Sequence, residues 1–156
     1  MLYAAYEAPA QVGYLAQHPL FEQIPELQAD ILVPEYCALG QGELQSINAW
    51  IGPAGTVTPL HHDPHHNLLA QVVGSKYVRL YPPAASALLH PHTEGMTTNA
   101  SSLDIDEDPP QQAGGGEAEP FWDTMLEPGQ MLYIPPGWWH YVKATSISIS
   151  VSFWWQ

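Results

Sequence analysis

Between residues 146 and 153 polar and apolar side chains alternate without a break, Ser146, Ser148, Ser150 and Ser152 against Ile147, Ile149, Val151 and Phe153. A period of two marks an extended strand with two different faces. The serine face leaves room for a cavity, and Trp154 shares its parity, while the apolar face has to be covered by another layer. Shorter apolar runs between turn residues predict further strands: Ile31, Leu32 and Val33 before Pro34, residues 47–52, residues 131–134 after the Pro128-Gly129 turn, and residues 140–142. In residues 67–81, Gly74-Ser75 separates two apolar runs and predicts a type II′ hairpin with Gly74 at positive φ. That register puts Val73 opposite Lys76, Gln71 opposite Val78 and Leu69 opposite Leu80, with Asn67, Gln71 and Lys76 on one face. Pro19 and Pro25 limit residues 14–28 to one or two short helical turns, and residues 1–10 read as a loose lead-in. Many short strands with one local hairpin predict an all-β fold, a double-stranded β-helix of the jelly-roll or cupin type with short N-terminal helical segments.

At 156 residues the chain is expected to be a single domain, residues 1–156. Residues 93–120 change character: Asp104, Asp106, Glu107 and Asp108 are followed by Gly114, Gly115, Gly116, Glu117 and Glu119. Clustered acid and glycine with few apolar residues predicts a mobile loop inserted into the domain, not a second domain. The formal net charge is -13, and Lys76, Arg79 and Lys143 are the only lysines and arginines. So few cations cannot neutralise many phosphates, which argues against direct nucleic-acid binding, whereas an acidic surface attracts a cationic substrate or partner. Cys37 is the lone cysteine, which rules out an internal disulfide framework and reads as a core thiol. No apolar run approaches the roughly 20 residues that span a bilayer, and the first residues lack a basic signal-peptide region. The expectation is a soluble intracellular protein.

Candidate chemistry concentrates in His61-His62-Asp63. On an extended segment His61 and Asp63 leave the same face, and His140, in Pro135-Pro136-Gly137-Trp138-Trp139-His140, offers a third donor. Two histidines and one carboxylate are the facial set that holds non-haem Fe(II) and leaves coordination positions open. Lys76 has two readings, a salt bridge with one of the many acids or a partner for an anionic ligand, because lysine is almost never buried unpaired. Trp50 reads as core or as a pocket wall. His90 and His92 have no third donor nearby and read as surface residues, and Asn99-Ala100-Ser101, a glycosylation acceptor pattern, is set aside for want of a secretion signal.

His61-x-Asp63, then Asn67, Lys76 and His140, framed by residues 47–53 and closed by residues 150–155, resembles the jumonji C (JmjC) oxygenase domain. The resemblance runs from about Gly13 to the end and excludes the acidic Gly-rich loop, which departs from the family in length and composition. It implies an Fe(II)- and 2-oxoglutarate-dependent oxygenase that consumes O2, with His61, Asp63 and His140 as iron ligands and Lys76 paired with the distal carboxylate of 2-oxoglutarate. Tyr14, Thr58, Asn67 and Trp154 match further cosubstrate positions. By the same resemblance the substrate is a cationic protein or peptide in the nucleus or cytoplasm. Arginyl hydroxylation is the first expectation, and demethylation of histone N-methyl-lysine, a chromatin-regulating reaction, is the alternative. A metal-dependent cupin isomerase or dioxygenase would have no need of Lys76, and a non-catalytic cupin-like binding scaffold would have little reason to keep the triad and the lysine together.

Overall fold

The computed structural model describes residues 12–95, 97–107 and 120–156. The strands among them are β1 (Leu15–His18), β2 (Leu44–Gly52), β3 (Val57–His62), β4 (His66–Val73), β5 (Lys76–Tyr81), β6 (Trp122–Leu126), β7 (Met131–Ile134), β8 (Trp139–Ala144) and β9 (Ser148–Trp155). Two single-turn helices, α1 (Leu20–Gln23) and α2 (Pro25–Gln28), and two 3-10 segments, Glu35–Ala38 and Pro83–Leu88, complete the elements. The strands form a five-stranded sheet in the order β1-β2-β9-β4-β7 and a four-stranded sheet in the order β3-β8-β5-β6, with every pairing antiparallel. This is the all-β double-sheet architecture expected of a cupin. No helix among the described residues is long and apolar enough to cross a membrane.

The alternating segment becomes β9, in the middle of the larger sheet between β2 and β4. Ser148, Ser150 and Ser152 are buried on its inner face, where the Ser150 hydroxyl donates to Gln71 Oε1 at 2.7 Å and Trp50 Nε1 donates to Ser152 Oγ at 2.9 Å. On the outer face Val151, Phe153 and Trp155 pack with Leu68, Ala49, Phe21 of α1 and Cys37, so the short N-terminal elements are the layer that covers the apolar side. Between the sheets Leu69 of β4 meets Val78 of β5, Leu126 of β6 and Val142 of β8. A further cluster of Leu60, Tyr81, Trp139, Tyr141 and Ile105 lies on the other face of the smaller sheet.

Two sequence expectations are corrected. The predicted hairpin does not form: β4 pairs with β7 and β9, and β5 pairs with β6 and β8, so Gly74-Ser75 carries the chain from one sheet to the other. Gly74 does take a positive φ of 67°, and a Cβ there would collide with the backbone of Ile147, because the second crossing, from β8 to β9, runs alongside. The two crossings are tied together by the Ser75 N–H donating to Ser146 Oγ at 2.9 Å and the Thr145 N–H donating to the Ser75 carbonyl at 3.0 Å. A turn signal specifies a local backbone conformation, but non-local partners decide whether its flanking strands pair, and here each strand gains two. The run Ile31, Leu32 and Val33 is not a strand; Leu32 is 90% exposed, with no neighbouring strand to complete a ladder. Within residues 14–28 the short helical turns expected are α1 and α2, and β1, which was not foreseen, precedes them on the edge of the larger sheet.

Of the stretch expected to be mobile, residues 108–119 lie outside the described residues. Residues 97–107 pack against β3 and β8. Ala100 bridges to His61, Ile105 is buried, and Asp106 accepts hydrogen bonds from the Tyr141 hydroxyl and Lys143 Nζ, each at 2.7 Å.

Candidate active site

Antiparallel pairing of β3 and β8 places His61 directly opposite His140, with their ring centroids 4.1 Å apart on the inner face of the smaller sheet. Asp63 follows the last residue of β3, and its carbonyl accepts the Gly137 N–H at 2.8 Å, so the Pro-Pro-Gly turn that leads into β8 also holds the backbone of the carboxylate. Asp63 Oδ2 lies 3.6 Å from His61 Nε2 and 3.5 Å from His140 Nε2. One donor atom from each of the three residues falls within 4.8 Å of the others.

The backbone sets the histidine tautomers. His61 Nδ1 donates to the Pro59 carbonyl at 2.8 Å and His140 Nδ1 to the Trp138 carbonyl at 3.1 Å, in each case two residues back along the strand. A carbonyl can only accept, so each Nδ1 carries hydrogen and each Nε2 turns its lone pair toward Asp63. Asp63 Oδ2 is buried and has no hydrogen-bond partner among the described residues. Burial would raise the Asp63 carboxyl, but the neighbouring His61 and His140 imidazoles hold it below the ordinary carboxylate range. Burial would lower His61, but Asp63 and the Pro59 carbonyl outweigh it and raise the imidazole above its usual value. His140, more deeply buried and repelled by His61, is pushed down to about 4. Two imidazole lone pairs and an unpartnered carboxylate oxygen converge on one point, and a divalent cation fits there, neutralising the carboxylate and satisfying the orphaned oxygen.

Next to these donors is a pocket that also contains Tyr14, Thr58, Asn67, Lys76 and Trp154 in its wall, so all eight residues singled out from the sequence line one cavity. Lys76 opens β5 on the inner face and is 2% exposed; burial pushes its ammonium down to about 8. Among the described residues no carboxylate lies within ion-pair distance of it, and the nearest ring, Tyr14, is centred 6.0 Å from Nζ. The Tyr14 and Thr58 hydroxyls are 3.0 Å apart. Asn67 and Trp154 face each other across the ladder of β4 and β9, and Asn67 Oδ1 and Trp154 Nε1 are both buried without partners among the described residues. An unpaired ammonium and several unfilled polar atoms in one buried pocket call for a small polar ligand that carries negative charge.

Leu69, Ile134 and Val142, which supply the apolar sides, were not foreseen; Trp50, read as core or pocket wall, and Ser152, on the serine face expected beside a cavity, also line the pocket. The parity of β9 pointed to Ser152, and Leu69 is two residues from Asn67. Ile134 and Val142 carried no signal, since only strand pairing brings β7 and β8 to this cavity. His90 and His92 are exposed, as expected.

The profile of the cupin-like domain family matches residues 3–156. Lysine-specific demethylase JMJ30 of Arabidopsis thaliana is 59% identical over 96% of this chain and 35% of its own length. Lysine-specific demethylase 8 of Xenopus tropicalis is 49% identical over 93% of this chain and 33% of its own, and jumonji C domain-containing protein 5 of Drosophila melanogaster 44% identical over 96% and 38%. The chain thus spans about a third of the length of these curated relatives. A solved structure of the ribosomal oxygenase YcfD from Escherichia coli shares the fold, with a TM-score of 0.50 and 19% identity over 78% of this chain and 26% of that one. The chain belongs to the cupin-like domain family and, within it, to the JmjC domains.

Proposed function

We propose that residues 1–156 are a single JmjC catalytic domain and that it works as an Fe(II)- and 2-oxoglutarate-dependent dioxygenase on a cationic side chain of a protein. The observation that carries this reading is the coincidence, in one pocket, of the His61, Asp63 and His140 donor set with a buried ammonium that has no counter-ion among the described residues. Iron, 2-oxoglutarate and O2, when bound, supply the oxidising chemistry, inserting oxygen into a C–H bond of the substrate as 2-oxoglutarate becomes succinate and CO2.

The chain holds and aims these groups. His61, Asp63 and His140 would hold the metal, and the Pro59 and Trp138 carbonyls keep each Nε2 free for it. Lys76 pairs with the distal carboxylate of the cosubstrate, which restores the charge stabilisation that burial removes. Tyr14, Thr58, Asn67 and Trp154 offer hydrogen-bonding groups around that carboxylate and the chelating end, and Leu69, Ile134 and Val142 keep water away from them.

The substrate follows from charge and from the aromatic groups at the site. A chain of net charge -13 favours a cationic side chain. Arginine hydroxylation is the first reading: apart from the His61 and His140 rings of the donor set, the aromatic pairs at the pocket among the described residues are Tyr14 with Trp50 and His65 with Trp154, two-ring contacts and not the cage of several rings that methylammonium recognition uses. Demethylation of N-methyl-lysine is the second reading, favoured by the lysine-specific demethylase names of the relatives. Mass spectrometry of arginine-bearing and methyl-lysine-bearing peptides, incubated with enzyme, Fe(II) and 2-oxoglutarate, tests both. Gain of one oxygen on arginine is the expected result, and loss of a methyl group with formaldehyde release would establish the second reading. No change in any peptide, together with no succinate formation, would sink both.

A further inference from the structure

β3 carries His61 and lies at the edge of its sheet, so one side of its backbone has no strand partner. Residues 99–101 fill that side. The His62 N–H donates to the Asn99 carbonyl at 2.9 Å, the Ser101 N–H donates to the Leu60 carbonyl at 2.8 Å, and Ala100 bridges to His61. Asn99 adds a contact that a plain strand would not make: its side-chain Nδ2 donates to the His62 carbonyl at 3.0 Å. That carbonyl belongs to the peptide joining His62 to Asp63, and the next carbonyl along, that of Asp63, is held by the Gly137 N–H. Both peptide groups flanking the Asp63 α-carbon are therefore pinned, one by Asn99 and the other by the turn before His140.

We propose that Asn99 is a positioning residue for the metal site, acting through the His62 carbonyl to fix the direction in which Asp63 presents its carboxylate. The proposal rests on the reading of His61, Asp63 and His140 as metal ligands. A carboxylate ligand that lies beyond the end of a strand has no ladder to hold its backbone, and Asn99 supplies the missing restraint. The segment that bears Asn99 is itself anchored, by Ile105 in the core and by Asp106 on Tyr141 and Lys143.

The test is a cobalt(II) titration of the metal-free protein, read by the visible absorption of the bound ion and independent of turnover. Loss of an outer hydrogen bond to a metal site typically weakens affinity by about 10- to 100-fold, so Asn99→Ala should bind cobalt at least about tenfold more weakly than wild type. Asn99→Gln, which keeps the amide donor on a longer arm, should recover part of that loss. Ser102→Ala removes a bond from the same segment, Ser102 Oγ to the His90 carbonyl at 3.1 Å, without touching His62 and should leave cobalt affinity within about twofold. At saturating cobalt, 2-oxoglutarate affinity should be unchanged in Asn99→Ala, separating the metal from the cosubstrate. If Asn99→Ala does not yield folded protein, Asn99→Ser carries the same comparison. His140→Ala serves as the control for the underlying reading: if it binds cobalt as wild type does, the ligand assignment fails and the proposal falls with it. If His140→Ala loses cobalt but Asn99→Ala, or Asn99→Ser in its place, stays within about twofold of wild type, or if Ser102→Ala is equally impaired, Asn99 has no positioning role and that proposal alone is overturned.

Discussion

Replacing Lys76 separates a cosubstrate lysine from a structural one. Its side chain is 2% exposed, without an ion-pair partner among the described residues, and burial moves its ammonium from 10.5 down to about 8. Removing one partner of a buried charge-assisted pair costs about 2 to 5 kcal/mol, so Lys76→Ala should weaken 2-oxoglutarate binding by about 30-fold to several-thousand-fold. Calorimetric titration at fixed metal concentration measures this directly, and metal affinity should change little. The same value sets a pH window. A dicarboxylate binds the charged lysine, and below about 8 that form is already present, whereas above it a proton must be taken up on binding. Wild-type affinity should therefore fall about tenfold between pH 7 and pH 9, and that slope should be missing from the variant. The His61 and His140 imidazoles and the Tyr14 hydroxyl, which also face the pocket, remain in both proteins and cancel in the comparison. Stability runs the opposite way. Because the folded value lies below the unfolded one, the unfolded chain binds the extra proton between about 8 and 10.5, so the buried lysine destabilises the ligand-free fold at neutral pH and the penalty fades as pH rises through that interval. Lys76→Met should accordingly raise the melting temperature of the ligand-free protein at pH 7, with at most about 3 kcal/mol to recover. Affinity for 2-oxoglutarate within about twofold of wild type in Lys76→Ala would refute the reasoning and leave the cosubstrate assignment without its main support.

Three further outcomes are expected. His140→Ala should abolish iron-dependent succinate formation while the far-ultraviolet circular dichroism stays that of the wild type; full retained activity would exclude His140 as a ligand. Neutralising Asp104 and Glu107, which flank the segment packed beside His61, should raise KM for a cationic peptide more at low than at high ionic strength, and a salt-independent response would mean these acids do not steer substrate. Gly74→Ala should lower unfolding stability by about 2 kcal/mol or more in denaturant titration, since the residue sits at a φ of 67° with the backbone of Ile147 where a Cβ would go; a loss below about 0.5 kcal/mol would show that the crossing between sheets is not tightly constrained.

The sequence by itself determined what is local or carried by motif. The two-face pattern of residues 146–153 specified a strand with a small polar side and an apolar side, because side-chain direction alternates whatever the strand pairs with. His61-x-Asp63, Lys76 and His140 marked the chemistry, since few other reasons place those donors and a lysine in one apolar domain, and the resemblance to JmjC domains added Tyr14, Thr58, Asn67 and Trp154. The tertiary structure decided everything that depends on which segments meet. Gly74 announced a turn, but only the pairing of β4 with β9 and of β5 with β8 turned an apparent hairpin into a crossing between sheets. That crossing moves Lys76 off the sheet of Asn67 and places it in the wall of the pocket they share. The apolar run before Pro34 looked like a strand and found no ladder to join, since propensity without a partner leaves backbone groups to water. Ile134, Val142 and the hold of Asn99 on the His62 carbonyl were invisible for the same reason: each acts across a long sequence separation, and no local pattern encodes a contact whose other half lies on a distant strand.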